Sequence, residues 1–385
     1  MKWWLKKEMC TGCAACYNVC PTKSIDMRYD KEGFLYPEFD LKKCVECGKC
    51  KEVCPVIKPQ NNIKQNRTYA CYRKDFEKRM QSSSGGIFAI LAEKIISEKG
   101  LVCGASYSNH MEVVHSFADN IENLQQLKGS KYVQSDIGNS YKRIKVELKS
   151  GRKVLFSGTP CQVAGLKNFL GTDYENLICI DLICHGVPSP KVFESYIKEN
   201  YGDKELVNIN FRNKKNGMKN TYLEYCFHDG SSLFEKYDES PYIKGFIQNL
   251  YLRPSCYECG FKKDNLYSDI TLGDFWGLEH EYPEFGDVYG ISAAVIHTSR
   301  GVEYFNKISD ECVFLEVNEE IVGKHNQSFL SSSHLNKKRK QFYNSYGKTT
   351  VKELNEKLYD PEYWYKSQVG YVDRIKAKII NIIRK

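Results

Sequence analysis

The chain repeats one cysteine pattern near its start: Cys10-Thr11-Gly12-Cys13-Ala14-Ala15-Cys16-Tyr17-Asn18-Val19-Cys20-Pro21, and then Cys44-Val45-Glu46-Cys47-Gly48-Lys49-Cys50-Lys51-Glu52-Val53-Cys54-Pro55. Both runs have the spacing Cys-x2-Cys-x2-Cys-x3-Cys-Pro. This spacing is typical of bacterial ferredoxins with two 4Fe–4S clusters, in which the fourth cysteine of each run ligates the other cluster. We therefore predict two clusters with crossed ligands: Cys10, Cys13, Cys16 and Cys54 for one, and Cys44, Cys47, Cys50 and Cys20 for the other.

Two other uses of cysteine fit this pattern less well. Disulfides belong to oxidising compartments, and the start of the chain lacks the apolar run of a signal peptide. Zinc sites use Cys-x2-Cys pairs, but not two triplets that are each followed by x3-Cys-Pro. The iron–sulfur interpretation therefore explains the spacing best.

Length and composition describe a chain of more than one domain. Its 385 residues are enough for two or three domains, and 17 cysteines are many for a protein of this size. The formal net charge of +8 is modest, and no nucleic-acid-binding module is recognisable. No stretch approaches the ~20 apolar residues of a membrane span, so we expect a cytoplasmic protein.

The order of motifs predicts four segments. They are a ferredoxin-like α+β module at 1–57, a linker at 58–68, an α/β domain at 69–318 and a helical basic region at 319–385. Strands at 153–157 and 177–182 each lead through a loop into a helix, which predicts a mixed, mainly parallel sheet. Residues 207–237 resemble a set of antiparallel strands.

A third group of cysteines lies in the predicted α/β domain. Cys161 and Cys184 each follow a strand, and the carboxyl ends of strands form the edge at which such sheets bind ligands. Cys256 and Cys259 form a Cys-x2-Cys pair that can be half of a zinc site, a redox dithiol, or half of a third 4Fe–4S site with Cys161 and Cys184. The position of the two loop cysteines favours the third cluster.

Two loops of the same domain have features of phosphate-binding loops. Ser82-Ser83-Ser84-Gly85-Gly86 opens a helix, where free backbone N–H groups attract a phosphate. An ordinary serine N-cap explains the same residues and is the better interpretation of that loop alone. The segment at 127–135 has hydroxyls, a lysine and an aromatic ring, and taken alone it is best interpreted as a surface turn.

The C-terminal region is rich in lysine and arginine. The run at 337–340 is interpreted as a solvated face. Residues 371–385 have the pattern of a basic amphipathic helix, which we expect to dock on the domain or on a partner rather than on a membrane surface.

The whole ordered set of motifs resembles the coenzyme F420 hydrogenase/dehydrogenase beta-subunit family over about residues 8–317. Beyond the double cysteine run and the third cysteine group, the resemblance is carried by the motifs at 82–86, 129–134, 157–162, 184–186 and 273–277. It implies a flavin, typically FAD, beside an iron–sulfur cluster held by Cys161, Cys184, Cys256 and Cys259. It implies these flavin contacts: Ser83, Ser84, Gly85, Gly86, Ser130, Lys131, Tyr132, Gln134, Ser157, Gly158, Thr159 and Pro160.

A flavin beside iron–sulfur clusters converts between two-electron and one-electron chemistry. We therefore predict an oxidoreductase that passes electrons between a ferredoxin or another one-electron carrier, the clusters and the flavin, which reacts with a small organic substrate. The resemblance weakly implies a surface-polysaccharide pathway, and coenzyme F420 itself is not transferred as substrate. The alternative is a non-catalytic electron-transfer subunit that works with a partner redox subunit. No catalytic residue is assigned, because His185 and Asp274 have equally good structural roles.

Overall fold

The computed structural model describes residues 5–59 and 67–363. The strands in these ranges are β1 (Ile25–Tyr29), β2 (Leu35–Phe39), β3 (Arg67–Arg73), β4 (Leu101–Tyr107), β5 (Val113–Ala118), β6 (Val154–Gly158), β7 (Leu177–Leu182), β8 (Leu206–Asn213), β9 (Tyr222–Phe227), β10 (Ser232–Lys236), β11 (Ile270–Asp274), β12 (Ser292–Ile296) and β13 (Cys312–Val317).

Helices connect most of these strands. The α-helices are α1 (Ala15–Val19), α2 (Lys49–Glu52), α3 (Phe76–Met80), α4 (Ile87–Ser97), α5 (Ile121–Leu124), α6 (Ser140–Lys149), α7 (Pro160–Leu170), α8 (Pro190–Tyr201), α9 (Pro241–Ile247), α10 (Leu278–Glu281), α11 (Ser299–Asn306), α12 (Glu319–His325), α13 (Gln327–Leu330), α14 (Arg339–Ser345) and α15 (Val351–Leu358). Within the described residues, no helix is both long enough and apolar enough to cross a bilayer.

An eight-stranded mixed sheet forms the centre of the molecule, in the order β13-β3-β12-β11-β7-β6-β4-β5. The neighbouring strands β11, β7, β6 and β4 run parallel, and the remaining neighbours pair antiparallel. The prediction of an α/β domain with a mixed sheet is confirmed, with the parallel strands in one central block. The domain's first strand begins at Arg67, inside the segment predicted as linker.

Both faces of the parallel block are covered by helices. On β6, Leu155 packs in a core shared with α4, whereas Val154 and Phe156 pack in a core shared with α7. Strands that are buried on both faces need apolar residues at nearly every position. This explains why β6 and β7 have almost continuously apolar sequences rather than alternating ones.

A second sheet and the C-terminal helices form a separate core. The sheet is antiparallel, in the order β10-β9-β8, as the sequence predicted for 207–237. Its apolar face packs with α8 and α9, and also with Phe342 of α14 and with Val351, Leu354 and Leu358 of α15. Helices α14 and α15 are therefore part of the folded domain rather than an appended tail. The predicted amphipathic helix at 371–385 lies outside the described residues.

The cysteine-rich N-terminal region docks on the α/β domain through its β1–β2 hairpin. Glu32 at the hairpin turn accepts two hydrogen bonds from Arg339, at 3.0 and 2.6 Å. Ser189 donates a hydrogen bond to the Glu32 carbonyl at 2.6 Å. The interpretation of 337–340 as a solvated face is therefore wrong for Arg339, whose side chain is 12% exposed. It is directed inward because the hairpin supplies its carboxylate.

The hairpin turn yields a test of this docking. Gly33 has φ +81°, and a Cβ there would lie 2.5 Å from Ser189 Oγ. We expect Gly33→Ala to lower the free energy of unfolding by about 2–4 kcal/mol, since left-handed strain and steric crowding add. Gly171→Ala is the control, because Gly171 has φ +73° with open space around its Cβ position.

The control variant should lose about 1–2 kcal/mol from backbone strain alone. Chemical denaturation followed by circular dichroism measures both. Equal losses of unfolding free energy in the two variants would mean that the hairpin turn does not pack closely against the α/β domain.

Candidate metal centres and cofactor site

The two cysteine runs follow the same backbone path. Gly12 and Ala14 have φ values of +71° and +59°, and the corresponding residues of the second run, Glu46 and Gly48, have +51° and +74°. A short helix begins directly after each second left-handed residue, α1 at Ala15 and α2 at Lys49. Left-handed residues reverse the chain within the loop. The repeated spacing therefore produces one repeated local fold.

This local fold groups the eight cysteines into two quartets around two cavities. One cavity is lined by Cys10, Cys13, Cys16 and Cys54, called the first quartet below. The other is lined by Cys20, Cys44, Cys47 and Cys50, the second quartet. In each cavity the fourth cysteine comes from the other run. This is the grouping that crossed cluster ligation requires.

The thiols within each quartet influence one another. Burial, together with the nearby Cys54 and Cys10, raises the pKa of the Cys13 thiol to about 12. Burial also raises the pKa of Cys50, with a contribution from Cys20 of the other run. Four thiolates cannot stay charged together in such a place without a cation. The donor set therefore fits a bound iron–sulfur cluster.

Across residues 5–59 and 67–363, no three His, Cys, Asp or Glu side chains form a group that could hold a single metal ion.

The two quartets differ in their access to solvent. In the first quartet Cys10 and Cys13 are buried, whereas Cys47 of the second quartet is exposed. Its neighbour Val45 is 64% exposed. The first quartet therefore lies inside the molecule and the second lies at its surface.

The third group of cysteines also comes together. Cys161 lies at the start of α7 and Cys184 follows β7. Cys256 lies within a 3-10 turn at Pro254–Glu258, and Cys259 directly follows that turn. Burial raises the pKa of Cys161, and the nearby Cys259, Cys184 and Cys256 contribute to the same rise. This third quartet has the cysteines that the resemblance implied.

Helix α7 connects the first quartet to the third. A Cβ on Gly165 would lie 2.9 Å from Cys13 Cβ and 3.0 Å from Cys13 Sγ, so this cysteine packs directly on the helix backbone. Gly165 stands about one turn after Cys161. Helix α7 therefore contains one cysteine of the third quartet, Cys161, and contacts one cysteine of the first, Cys13.

His185 and Asp274 have structural partners. His185 Nε2 lies 2.6 Å from Asn249 Oδ1, and burial lowers the pKa of this imidazole to about 4. Asp274 accepts a hydrogen bond from Arg212 Nη1 at 2.9 Å. Both observations agree with leaving the catalytic residue unassigned.

The serine and glycine loop before α4 lies against the loop at 129–132. Ser83 Oγ accepts a hydrogen bond from the Ser130 backbone N–H at 2.8 Å. The N-cap of α4 is Gly86, with φ +89° and no side-chain hydrogen bond to the helix. The serine N-cap interpretation is therefore wrong, and the first N–H groups of α4 have no side-chain cap.

Three buried cations surround this loop, and sequence reasoning missed all of them. Lys214 Nζ donates to the Ser84 carbonyl, Arg212 Nη1 donates to Tyr132 Oη at 3.0 Å, and Arg79 Nε donates to the Gly290 carbonyl at 3.2 Å. Burial, together with the nearby Arg79, lowers the pKa of Lys214 to about 7. In the sequence they look like ordinary surface charges, so no local pattern could have identified them.

The other residues implied as flavin contacts divide into two groups. The side chain of Gln134 donates to the Thr11 carbonyl at 2.9 Å and accepts from Arg253 at 2.9 Å, so it is directed at the first cysteine run and we withdraw it as a flavin contact. Lys131 Nζ donates to the carbonyls of Gln126 and Lys128.

The segment Ser157, Gly158, Thr159 and Pro160 leads into α7 beside the third quartet. Thr159 caps α7, and its Oγ1 lies 3.2 Å from Cys161 Sγ. The Ser157 carbonyl lies 3.1 Å from His115 Nε2. These residues are therefore placed next to a metal-site cysteine, and their contact with a flavin stays a prediction.

Two segments of the chain match known protein families. Residues 151–320 match the family described as the C terminus of the coenzyme F420 hydrogenase/dehydrogenase beta subunit. Residues 9–57 match the 4Fe-4S dicluster domain. Residues 151–320 thus belong to the C-terminal family of the coenzyme F420 hydrogenase/dehydrogenase beta subunit, and a 4Fe-4S dicluster domain precedes them. The resemblance stated from the motifs is confirmed.

Individual relatives agree with this assignment. The F subunit of the F(420)H(2) dehydrogenase of Methanosarcina mazei is 21% identical over 340 residues, covering 83% of this chain and 89% of that protein. The formate dehydrogenase iron–sulfur subunit of Haemophilus influenzae is 32% identical over 73 residues, covering 18% of this chain and 22% of that protein. A solved F420-reducing NiFe hydrogenase complex from Methanosarcina barkeri aligns with 78% of this chain and 93% of its own, at 18% identity and a TM-score of 0.45, which is too weak a likeness to carry an argument.

The crossed quartets can be tested with paired cysteine variants. Cys10 and Cys54 share one cavity, so we expect Cys10→Ala with Cys54→Ala to lose about four irons. Cys44 and Cys54 belong to different cavities, so Cys44→Ala with Cys54→Ala should lose about eight irons. The iron content of anaerobically purified protein is the measurement. Cys103→Ala, a buried cysteine outside the quartets, is the control and should lose none.

The reverse pattern would contradict crossing. If each run held its own cluster, the Cys10 and Cys54 pair would cost both clusters, about eight irons, whereas the Cys44 and Cys54 pair, both in the second run, would cost one cluster, about four irons.

Proposed function

We propose that this chain is an iron–sulfur electron-transfer subunit of a hydrogenase- or dehydrogenase-type redox complex. The observation that supports this most directly is the arrangement of three cysteine quartets, from a surface-exposed one to a buried one and on to one at the edge of the α/β sheet. A 4Fe–4S cluster on each quartet would carry one electron at a time. The protein around them supplies burial, spacing and an exposed end.

The exposed end suits contact with another redox protein. Cys47 lies at the surface within a segment where Lys42, Lys49 and Lys51 are also exposed. Glu46 and Glu52 of the same segment are exposed as well, so this face offers charges of both signs to a partner. The relatives named as subunits of an F(420)H(2) dehydrogenase and of a formate dehydrogenase support a partner subunit of the same kind for this chain. We propose no organic substrate and no polysaccharide pathway.

A flavin-dependent oxidoreductase is the second candidate, favoured by the buried cations at the 82–86 loop. Arg79 pairs with Asp287, at 2.6 Å, and Arg212 pairs with Asp274, at 2.9 Å. Within the described residues, Lys214 has no carboxylate at ion-pair distance. A phosphate is the ligand that an excess buried cation and an uncapped helix start would both attract. FAD carries two phosphates, and its flavin would exchange electrons singly or in pairs.

Metal and flavin analysis of the anaerobically purified chain tests both candidates. Three quartets predict about twelve irons, with acid-labile sulfide in equal amount. A subunit without its own substrate chemistry should accept electrons from a chemical reductant, yet show no turnover until a partner subunit is added. Protein with no iron would end the first candidate, and turnover by the chain alone would replace it with the second.

Lys214→Met tests the flavin candidate separately. Removing the unpaired cation should reduce bound flavin at least tenfold, because a buried charge-assisted hydrogen bond to phosphate is lost. Iron content should not change. Lys219→Met is the control, since Lys219 lies close in sequence with its side chain 83% exposed. Flavin retained equally in both variants would contradict the assigned phosphate site, and protein without any flavin would leave only the first candidate.

A further inference from the structure

Arg253 is a fully buried side chain that lies between the first and the third quartet. Its Nε donates to the Cys10 carbonyl at 2.6 Å, and its Nη2 lies 3.8 Å from Cys10 Sγ. Its own carbonyl accepts the Cys256 backbone N–H at 2.9 Å. One residue therefore contacts a member of the first quartet with its side chain and a member of the third with its main chain.

The remaining donors of this guanidinium are satisfied by neutral groups. Nη1 donates to Gln134 Oε1 at 2.9 Å, and Nη2 donates to the Leu35 carbonyl at 3.0 Å. The ring of Tyr36 lies 4.2 Å from the guanidinium carbon. Its relative exposure is 0%. The hydrogen-bond donors of the Arg253 guanidinium are therefore nearly all satisfied, but none of these neutral partners balances its positive charge.

No carboxylate balances this charge within the part of the chain that the structure describes. Other buried arginines are paired: Arg73 with Glu93 at 2.7 Å, and Arg79 with Asp287 at 2.6 Å. A buried cation without a counter-charge is strongly unfavourable. The group that Arg253 does approach is a thiol of the first quartet. Cluster thiolates there would supply the missing negative charge.

We propose that Arg253 is the charge partner of the cluster held by Cys10, Cys13, Cys16 and Cys54, and that it sets the reduction potential of that cluster. The inference rests on the proposed function, because it requires a cluster at the first quartet. A fixed positive charge beside an anionic cluster favours uptake of one electron. The first site is then easier to reduce than it would be without Arg253.

The sequence difference between the two runs supports this assignment. Gly12 has φ +71°, and a Cβ there would lie 2.7 Å from Arg253 Nη1. The corresponding residue of the second run is Glu46, which is exposed in the same left-handed conformation. Glycine is needed at the first run because the arginine approaches its backbone closely. The lysines that line the second cavity, Lys49 and Lys51, are exposed rather than buried.

Redox titration of two arginine variants tests the proposal. Arg253→Gln keeps a hydrogen-bond donor without the charge, and Arg253→Lys keeps the charge without the planar fork. In the full-length protein we expect Arg253→Gln to disfavour one-electron reduction of one cluster at least tenfold, which corresponds to a potential about 59 mV lower. Arg253→Lys should stay within threefold of the unmodified chain. Midpoints are read from the electron paramagnetic resonance signals of the reduced clusters.

Arg339→Gln is the matched control. It removes another arginine that joins the hairpin to the α/β domain, but one whose charge Glu32 already balances. It should move no midpoint. If Arg339→Gln moves a midpoint as far as Arg253→Gln does, docking and not charge sets the potential, and the proposal is wrong. Unchanged midpoints in Arg253→Gln with full iron content also overturn it.

Loss of the cluster is informative too. If Arg253→Gln loses about four irons while Arg253→Lys retains them, the positive charge is needed to hold the anionic cluster, and the proposal stands. Equal loss in both variants would show that the fork geometry matters instead, and would overturn it. Absence of iron from the unmodified chain would contradict the proposed function itself, so the two failures are distinguishable.

Discussion

The close packing of the first cysteine run on the α/β domain is the contact on which the rest of this structure depends. Cys13 lies on the backbone of α7 at Gly165, and Arg253 occupies the space between Cys10 and the third quartet. Side chains larger than hydrogen at Gly12 or Gly165 would separate the two parts. Electron transfer through a protein requires short distances between carriers, and here the distance is set by two glycines and a shared helix.

This contact makes two nearly identical sequence motifs unequal. Both runs have the same spacing, the same left-handed residues and a short helix at the same place. One is covered by the α/β domain and the other has Cys47 at the surface. Burial removes water and strengthens every electrostatic interaction with the site. A repeated motif thereby yields one site suited to exchange with a partner and one suited to transfer inside the chain.

Positive charge withdrawn from solvent recurs at three functional places of the chain. Arg253 lies beside the first quartet, the half-buried Lys262 donates its Nζ to the Cys184 carbonyl at 2.6 Å beside the third, and Lys214 lies at the 82–86 loop. A fully buried cation such as Arg253 or Lys214 is costly unless an anion is present. An iron–sulfur cluster with four thiolate ligands is an anion, and so is a phosphate group. The proposed cofactors would therefore balance the charge of these cations.

The sequence by itself determined the grouping of the cysteines, the mixed α/β domain and the family, because these depend on spacing and periodicity along the chain. Only the tertiary structure decided the rest. It turned Gln134 and Arg339 toward the N-terminal module, made Gly86 the N-cap of α4, and buried Arg253 and Lys214 beside sites far away in sequence. A lone basic residue in a loop has the same local pattern whether it faces water or the interior. Its environment comes from elements more than a hundred residues distant, such as Cys10 for Arg253 and Ser84 for Lys214.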